Sequence, residues 1–456
     1  MCRSPGLAFP VENRMALQSN PAMRSQSHIH FVVSLLLVLV CFGIVLQSQE
    51  KTARDLYASE RQKTREAFKQ KDDKGLRDAL LQLQKDFPGR SAIPEELADV
   101  EARLGNTGQA LEWLKASVAM GLIPKLDDRS FDALRKAGKL DDIVQQIEQN
   151  RSSVSLSKSV FRIEPPDLII EDIAYDKEGR RFLLSSVHQR KIITCGQDGQ
   201  CADFITSADS DFQPLWGVLA LRVDPSGKYL WATTESLPFE IVHNKAEEGR
   251  CALLKIDLKA RALIQRYDCD PGGQHEMGDM TTASNGDVYV SDGSSGDLFV
   301  LRHDHDKLEK LVPSGTFVSP QTPALSSDEK LLYVPDYVAG IAAISLTDHS
   351  IRWLTSTSPA ALDGIDGLYT TKNGLIGIQN GTAPERVAEF RLEAPVKVAS
   401  WTVLEANWIG LGDPTHGVIV GDDFYFITNS GWDRVDQGGS IAPGKGAEIR
   451  KMALLH

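Results

Sequence analysis

A strand-turn-strand phrase that returns about every 45 to 50 residues from Ile169 onward limits this chain more than any other feature of it. Its clearest copy, Ile169–Val187 (IIEDIAYDKEGRRFLLSSV), is an apolar strand opened by an acidic residue, then a polar turn, then a second apolar strand. Copies follow at Gly217–Thr234 (GVLALRVDPSGKYLWATT), Gly278–Ser294 (GDMTTASNGDVYVSDGS) and Pro320–Tyr337 (PQTPALSSDEKLLYVPDY). Fainter ones stand at Ile365–Gly381 (IDGLYTTKNGLIGIQNG) and Thr415–Gly431 (THGVIVGDDFYFITNSG). One such unit cannot bury its apolar faces alone, so six at this period predict a radial array, most simply a six-bladed β-propeller. Alternation in CALLKIDL, DLFVLRH and DDFYFIT, with turns at DPSG, SNGD, SSDEK and TKNG, suits four strands per blade. The expected fold class is an all-β propeller over 160–456.

Ahead of the repeats, over 51–150, the period changes to that of amphipathic helices. RDLYASERQKTREAFKQ, KGLRDALLQLQKDF, EELADVEARLG and GQALEWLKASVAMG each place apolar residues three and four apart, and Gly105-Asn106 reads as a helix stop. The run LGNTGQALEWLKASVAMG, with Gly105, Ala110 and Ala116 among Leu104, Leu111 and Leu114, resembles a tetratricopeptide repeat. That resemblance implies paired helices and a protein partner; the other reading is a few helices that space or cap the propeller. The serine-rich stretch 151–159 (RSSVSLSKS) lacks apolar periodicity and is read as the linker between the two domains.

Residues 1–50 contain one hydrophobic run, Phe31–Leu46, preceded by arginines and followed by polar QSQEK. Its length lies between a signal-peptide core and a spanning helix, which needs roughly 20 residues, so the segment is read as an export signal or an N-terminal membrane anchor. Cysteine placement agrees with export to a periplasmic or secreted location. Cys195 and Cys201 flank the turn GQDGQ, and Cys251 and Cys269 stand symmetrically about a predicted hairpin, so two disulfides are expected, with four buried thiols as the alternative. A formal net charge of −12 argues against a nucleic-acid partner, which needs a basic surface.

In a propeller the residue that opens each innermost strand lies at one mouth of the central channel. Counting back from the second strand of each copy gives Glu171, Gly217 beside Trp216, Gly278 with Asp279, Gln321, Asp366 and His416. Carboxylates, an amide and an imidazole converging on one axis define a site for a hard cation. Each residue also has an ordinary reading: Asp366-Gly367 as a turn, Glu171 as a strand cap, His416 as channel filling and Trp216 as packing between blades. No nucleotide-binding glycine loop and no nucleophile elbow is present in the sequence, which lowers the odds of an oxidoreductase or a serine hydrolase.

The phrases EDIAYDKEGRRFLLSSV, LRVDPSGKYLWATT, SSDEKLLYVPDYVAGI, IDGLYTTKNGLIGI and HGVIVGDDFYFITNSGW carry a further resemblance. From about Val160 to His456 the chain resembles the senescence-marker-protein, gluconolactonase and luciferin-regenerating-enzyme family of six-bladed propellers. The resemblance implies a divalent cation on the axis, calcium first, with zinc or manganese as alternatives, held by a glutamate, an asparagine and an aspartate. The glutamate falls on Glu171 and the aspartate on Asp366, while Gln321 stands where the asparagine is expected. A second asparagine of the pattern is replaced by Gly278, with Asp279 next to it. The implied reaction is hydrolysis of a small lactone or ester. The cation polarises the carbonyl, Asp366 or Asp279 removes a proton from water, His416 orients water or substrate, and Trp216 and Gly278 border the substrate. The alternative is a non-catalytic propeller that binds a ligand or protein.

Overall fold

Period-2 alternation buries one face of a strand and fixes its register, so each of the six phrases becomes the two inner strands of one antiparallel sheet. The structure is a computed structural model and describes residues 52–270, 275–436 and 438–454. Six sheets form a six-bladed propeller whose innermost strands are Ile170–Asp176, Gly217–Val223, Asp279–Thr282, Ala324–Leu325, Gly367–Thr371 and Gly417–Val420. Blades one to four add three further strands each in chain order.

The core lies between neighbouring blades. Ile173, Phe182 and Leu184 of blade one pack on Tyr425, Ile427 and Ile449 of blade six, and Leu183 and Ile192 meet Leu221 and Leu254 of blade two on the other side. Similar apolar layers follow around the ring.

Blade six is closed by chain from both ends of the propeller: its outermost strand is Lys158–Arg162, paired antiparallel with Glu448–Ala453. Val154–Ser155 pairs in turn with the outer strand of blade five, Lys397–Ala406. The stretch 151–159 read as a linker therefore holds one short strand and the start of another. Its serine-rich composition hid them because an outermost strand needs few apolar side chains, here chiefly Val160 and Phe161.

The expected helices are α1 (Ala53–Gln70), α2 (Asp73–Asp86), α3 (Ile93–Arg103) and α4 (Thr107–Ala119), followed by α5 (Asp132–Lys136) and α6 (Asp141–Asn150). Side chains of Thr52 and Asp72 accept from Asp55 N–H and Gly75 N–H and start α1 and α2. The apolar stripe of α2 and α3, including Leu80, Leu83, Phe87 and Leu97, covers Val318 and Val338 of the propeller. The chain from residue 51 on forms one compact unit.

Both expected disulfides are present, Cys195–Cys201 within blade one and Cys251–Cys269 joining two strands of blade two. They fit an oxidising, exported environment. Among the described residues no helix is long and apolar enough to cross a membrane, and the run Phe31–Leu46 lies outside them. Cys251 and Cys269 are 18 residues apart, so replacing both with serine is expected to cost about 3 kcal/mol through the entropy of the unfolded chain. Denaturant unfolding with the slope held common checks this; a shift under about 1 kcal/mol contradicts it.

Candidate functional site

All six innermost strands run the same way along the axis, so their first residues share one mouth of the channel. In blade one a bulge between Ile170 and Ile173 breaks the regular pairing. The consecutive carboxylates beside it serve different ends. Asp172 is fully buried and reaches sideways to Leu221 N–H at 2.7 Å and Arg222 Nη1 at 2.6 Å. Glu171 turns toward the axis.

There it meets His416 and Asp366, and one ligand atom from each of the three lies within 4.8 Å of the others. His416 Nδ1 is 2.9 Å from the Glu171 carbonyl oxygen, and Nε2 is 2.6 Å from Asp279 Oδ1. The Thr322 hydroxyl donates to that same Asp279 oxygen at 2.5 Å. Glu171 Oε1 lies 3.7 Å from Nδ1, and Asp366 Oδ1 lies 3.9 Å from Nε2. The outer oxygens are tied elsewhere. Trp432 Nε1 donates to Glu171 Oε2, and Asn380 Nδ2 donates to Asp366 Oδ2 at 2.7 Å. Each of these two carboxylates thus turns one oxygen toward the imidazole, the arrangement that outer donors impose on metal-ligating side chains.

Electrostatics follow from burial. The Glu171 carboxyl is held well above its ordinary range, first by loss of solvent and then by the charge of Asp366, which the nearby His416 only partly offsets. Asp366 is pushed up to about 6, again by burial first, with Asp279 adding to the rise and His416 opposing it. For His416 burial works against the charge, but Asp366 and Asp279 outweigh it and raise the imidazole well above its usual value. With a proton on each ring nitrogen, both contacts of His416 are donations. An imidazole that ligates a cation is neutral, and Glu171 and Asp366 together then offer two negative charges when ionised. A divalent cation would balance those two charges.

A side chain at Gly278, next to Asp279, would meet nothing nearer than the Glu276 carbonyl at 4.0 Å. Toward the opposite mouth the cluster is closed off by Thr322, by the Asp172–Arg222 pair and by the Tyr369 hydroxyl, which accepts from Gly417 N–H at 2.6 Å. A cavity of about 650 Å³ beyond them opens at that other end and is lined by Arg222, Thr281, Thr370 and Tyr369, but by none of the four clustered residues.

Of the residues singled out in the sequence, Glu171, Asp279, Asp366 and His416 come together and four do not join them. Gln321 turns its amide to the Ser319 hydroxyl at 3.0 Å. Trp216 is buried with Nε1 on Glu247 and its ring between Arg250 and Arg266, away from the axis. Adjacent residues of a strand face opposite sides, and its neighbour Gly217 lies against Val187, so blade two presents backbone here. Gly278 lies next to Asp279 without supplying a donor of its own side chain. Trp432, Asn380, Thr322 and the Asp172–Arg222 pair were missed. Asn380 is next to last in one fainter copy (QNG) and Trp432 directly follows the other (NSGW), and a search of the residues that close or follow each repeat would have found them.

The fold and site define a six-bladed propeller with a buried carboxylate and imidazole cluster at one mouth. No protein-family model matches the chain, and no curated protein matches it. Among solved structures it resembles a gluconolactonase from Xanthomonas campestris, 15% identical, over 66% of this chain and 88% of that one, with a TM-score of 0.43. It also resembles a virginiamycin B lyase from Staphylococcus aureus, 14% identical, over 64% of this chain and 98% of that one, with a TM-score of 0.43. At such identities a shared shape says nothing of shared chemistry.

Proposed function

We propose that this protein is an exported hydrolase that opens a small lactone or ester at the channel mouth, using a divalent cation held by Glu171, Asp366 and His416. The observation that carries the reading is the convergence of those three side chains, two of them carboxylates, from three different blades. The Glu171 carbonyl fixes Nδ1 of His416 as a donor, and Nε2 then either donates to Asp279 or presents its lone pair to a cation. Two carboxylate oxygens and one imidazole nitrogen suit zinc or manganese better than calcium, which takes six to eight oxygens. When bound, the cation supplies Lewis acidity toward the substrate carbonyl. Asp279 beside it accepts the proton of the attacking water, Trp432 and Asn380 hold Glu171 and Asp366 in aim, and the free space over Gly278 admits the substrate. Phe31–Leu46 directs export or tethers the protein to a membrane, and the helical segment is open to a protein partner.

A second reading has its own support. Both ring nitrogens of His416 already have acceptors, so the imidazolium itself can be the resident cation of a non-catalytic binding propeller. A panel of lactones and esters assayed with zinc, manganese or calcium separates the two. The hydrolase reading expects cation-dependent turnover that falls at least about 100-fold in Glu171→Ala and Asp366→Ala. Absence of turnover across the panel in cation-loaded protein supports the binding propeller instead.

A further inference from the structure

We propose that the helical segment is a working part of this site, in which the corner between α2 and α3 holds Asp366 in place through Arg90 and Tyr337 as positioning residues. The inference rests on the reading of Asp366 as a site residue. The corner is seated closely: a side chain at Gly89 would lie 2.3 Å from the Ala339 carbonyl oxygen, so only glycine lets helix corner and propeller turn touch backbone to backbone. From that corner Arg90 Nη1 reaches Asp363 Oδ2 at 3.1 Å, and Ser91 N–H donates to the same oxygen at 3.0 Å. Asp363 is fully buried and lies three residues before Asp366. A buried carboxylate without its cation and donors would have to move or take up a proton, so this clamp decides where the turn 363–366 sits.

Two routes lead from the clamp to the carboxylate. Along the backbone, the Asp363 carbonyl accepts from Gln379 Nε2 at 2.8 Å, and the Asp366 amide donates to Ile378 at 2.9 Å. Between them Gly364, at φ 62°, presses so closely on Gly381 that a side chain would come within 2.8 Å of its carbonyl carbon. Through side chains, Arg90 Nη1 also donates to the Tyr337 carbonyl at 3.4 Å, which takes Gly364 N–H at 3.0 Å as well. The Tyr337 hydroxyl donates to Asn380 Oδ1 at 3.0 Å, and Asn380 Nδ2 donates to Asp366 Oδ2. The ring closes without any of this, through Lys158–Arg162 in blade six, so the clamp is not required to complete the propeller.

The test uses the full chain as wild type, Arg90→Ala, Arg90→Lys and Arg103→Ala. The last is the control, since among the described residues Arg103 pairs with Asp73 and Asp99, both inside the helical segment. Zinc and manganese affinity is read by calorimetry, and exchange of the Gly364 and Asp366 amides by hydrogen-deuterium exchange. Arg90→Ala is expected to weaken cation binding about 10- to 100-fold and to speed exchange at both amides, with partial rescue in Arg90→Lys and no change of either in Arg103→Ala. Wild-type affinity and wild-type exchange in Arg90→Ala overturn the proposal. A wild type that binds no cation sinks the metal reading alone, and the exchange rates then decide the clamp by the same criterion.

Discussion

Replacing His416 with alanine is expected to lower the stability of the folded protein by about 3 to 5 kcal/mol at pH 7, the cost of removing one partner of a buried ion pair. His416 is 1% exposed and stands among Glu171, Asp279 and Asp366, whose charges hold its proton. Without it, among side-chain donors of the described residues, the Asp279 carboxylate keeps the Thr322 hydroxyl and the Glu171 carbonyl keeps the hydroxyl of Thr415, at 2.8 Å. His416→Gln, which restores a donor but no charge, is expected to fall between wild type and alanine. Urea unfolding of the three proteins checks the order. A loss below about 1 kcal/mol for alanine would mean that the cluster relaxes freely and that His416 only fills space.

Asp366→Asn is expected to separate stability from function. Burial lifts Asp366 to about 6, above its ordinary 3.8, so its contribution to stability is fully present below about 3.8 and is lost as pH rises through 6. Glu171 is shifted in the same direction. A neutral asparagine avoids that loss, so the variant is expected to match wild type at pH 4 and to melt higher at pH 8. Cation affinity should fall at least about 100-fold with the lost ligand. In wild type, protons and cation compete for the same oxygens, so the rise in melting temperature caused by zinc or manganese should be larger at pH 8 than at pH 5. A variant that melts lower than wild type at pH 8 would contradict the account of burial as the main cause of the shift.

The propeller was legible because its repeat is written in short-range terms: alternation fixes the faces, turns fix the lengths, and six copies fix the count. The mouth residues were legible for the same reason, since Glu171, Asp279, Asp366 and His416 each lie within one residue of the start of an inner strand. Gln321 and Trp216 show the limit of that counting, because position along a strand does not say which way a side chain turns. Gln321 finds a nearer partner in Ser319, and Trp216 alternates away from the axis. The bulge beside Glu171 and Asp172 has no glycine or proline to announce it. Contacts such as Arg90 with Asp363 join residues 273 apart, and no local pattern encodes them. The closing strand of blade six was hidden by composition, since its apolar content is that of a loop.

The most direct measurement is a calorimetric titration of the purified full chain with zinc and manganese at pH 8, together with elemental analysis of the protein as isolated. The account predicts one cation per chain, a higher melting temperature on loading, and loss of both in Glu171→Ala and Asp366→Asn. Protein that holds no stoichiometric cation, and whose melting temperature is the same with and without zinc or manganese, would contradict it and leave the His416 imidazolium as the only cation of the site.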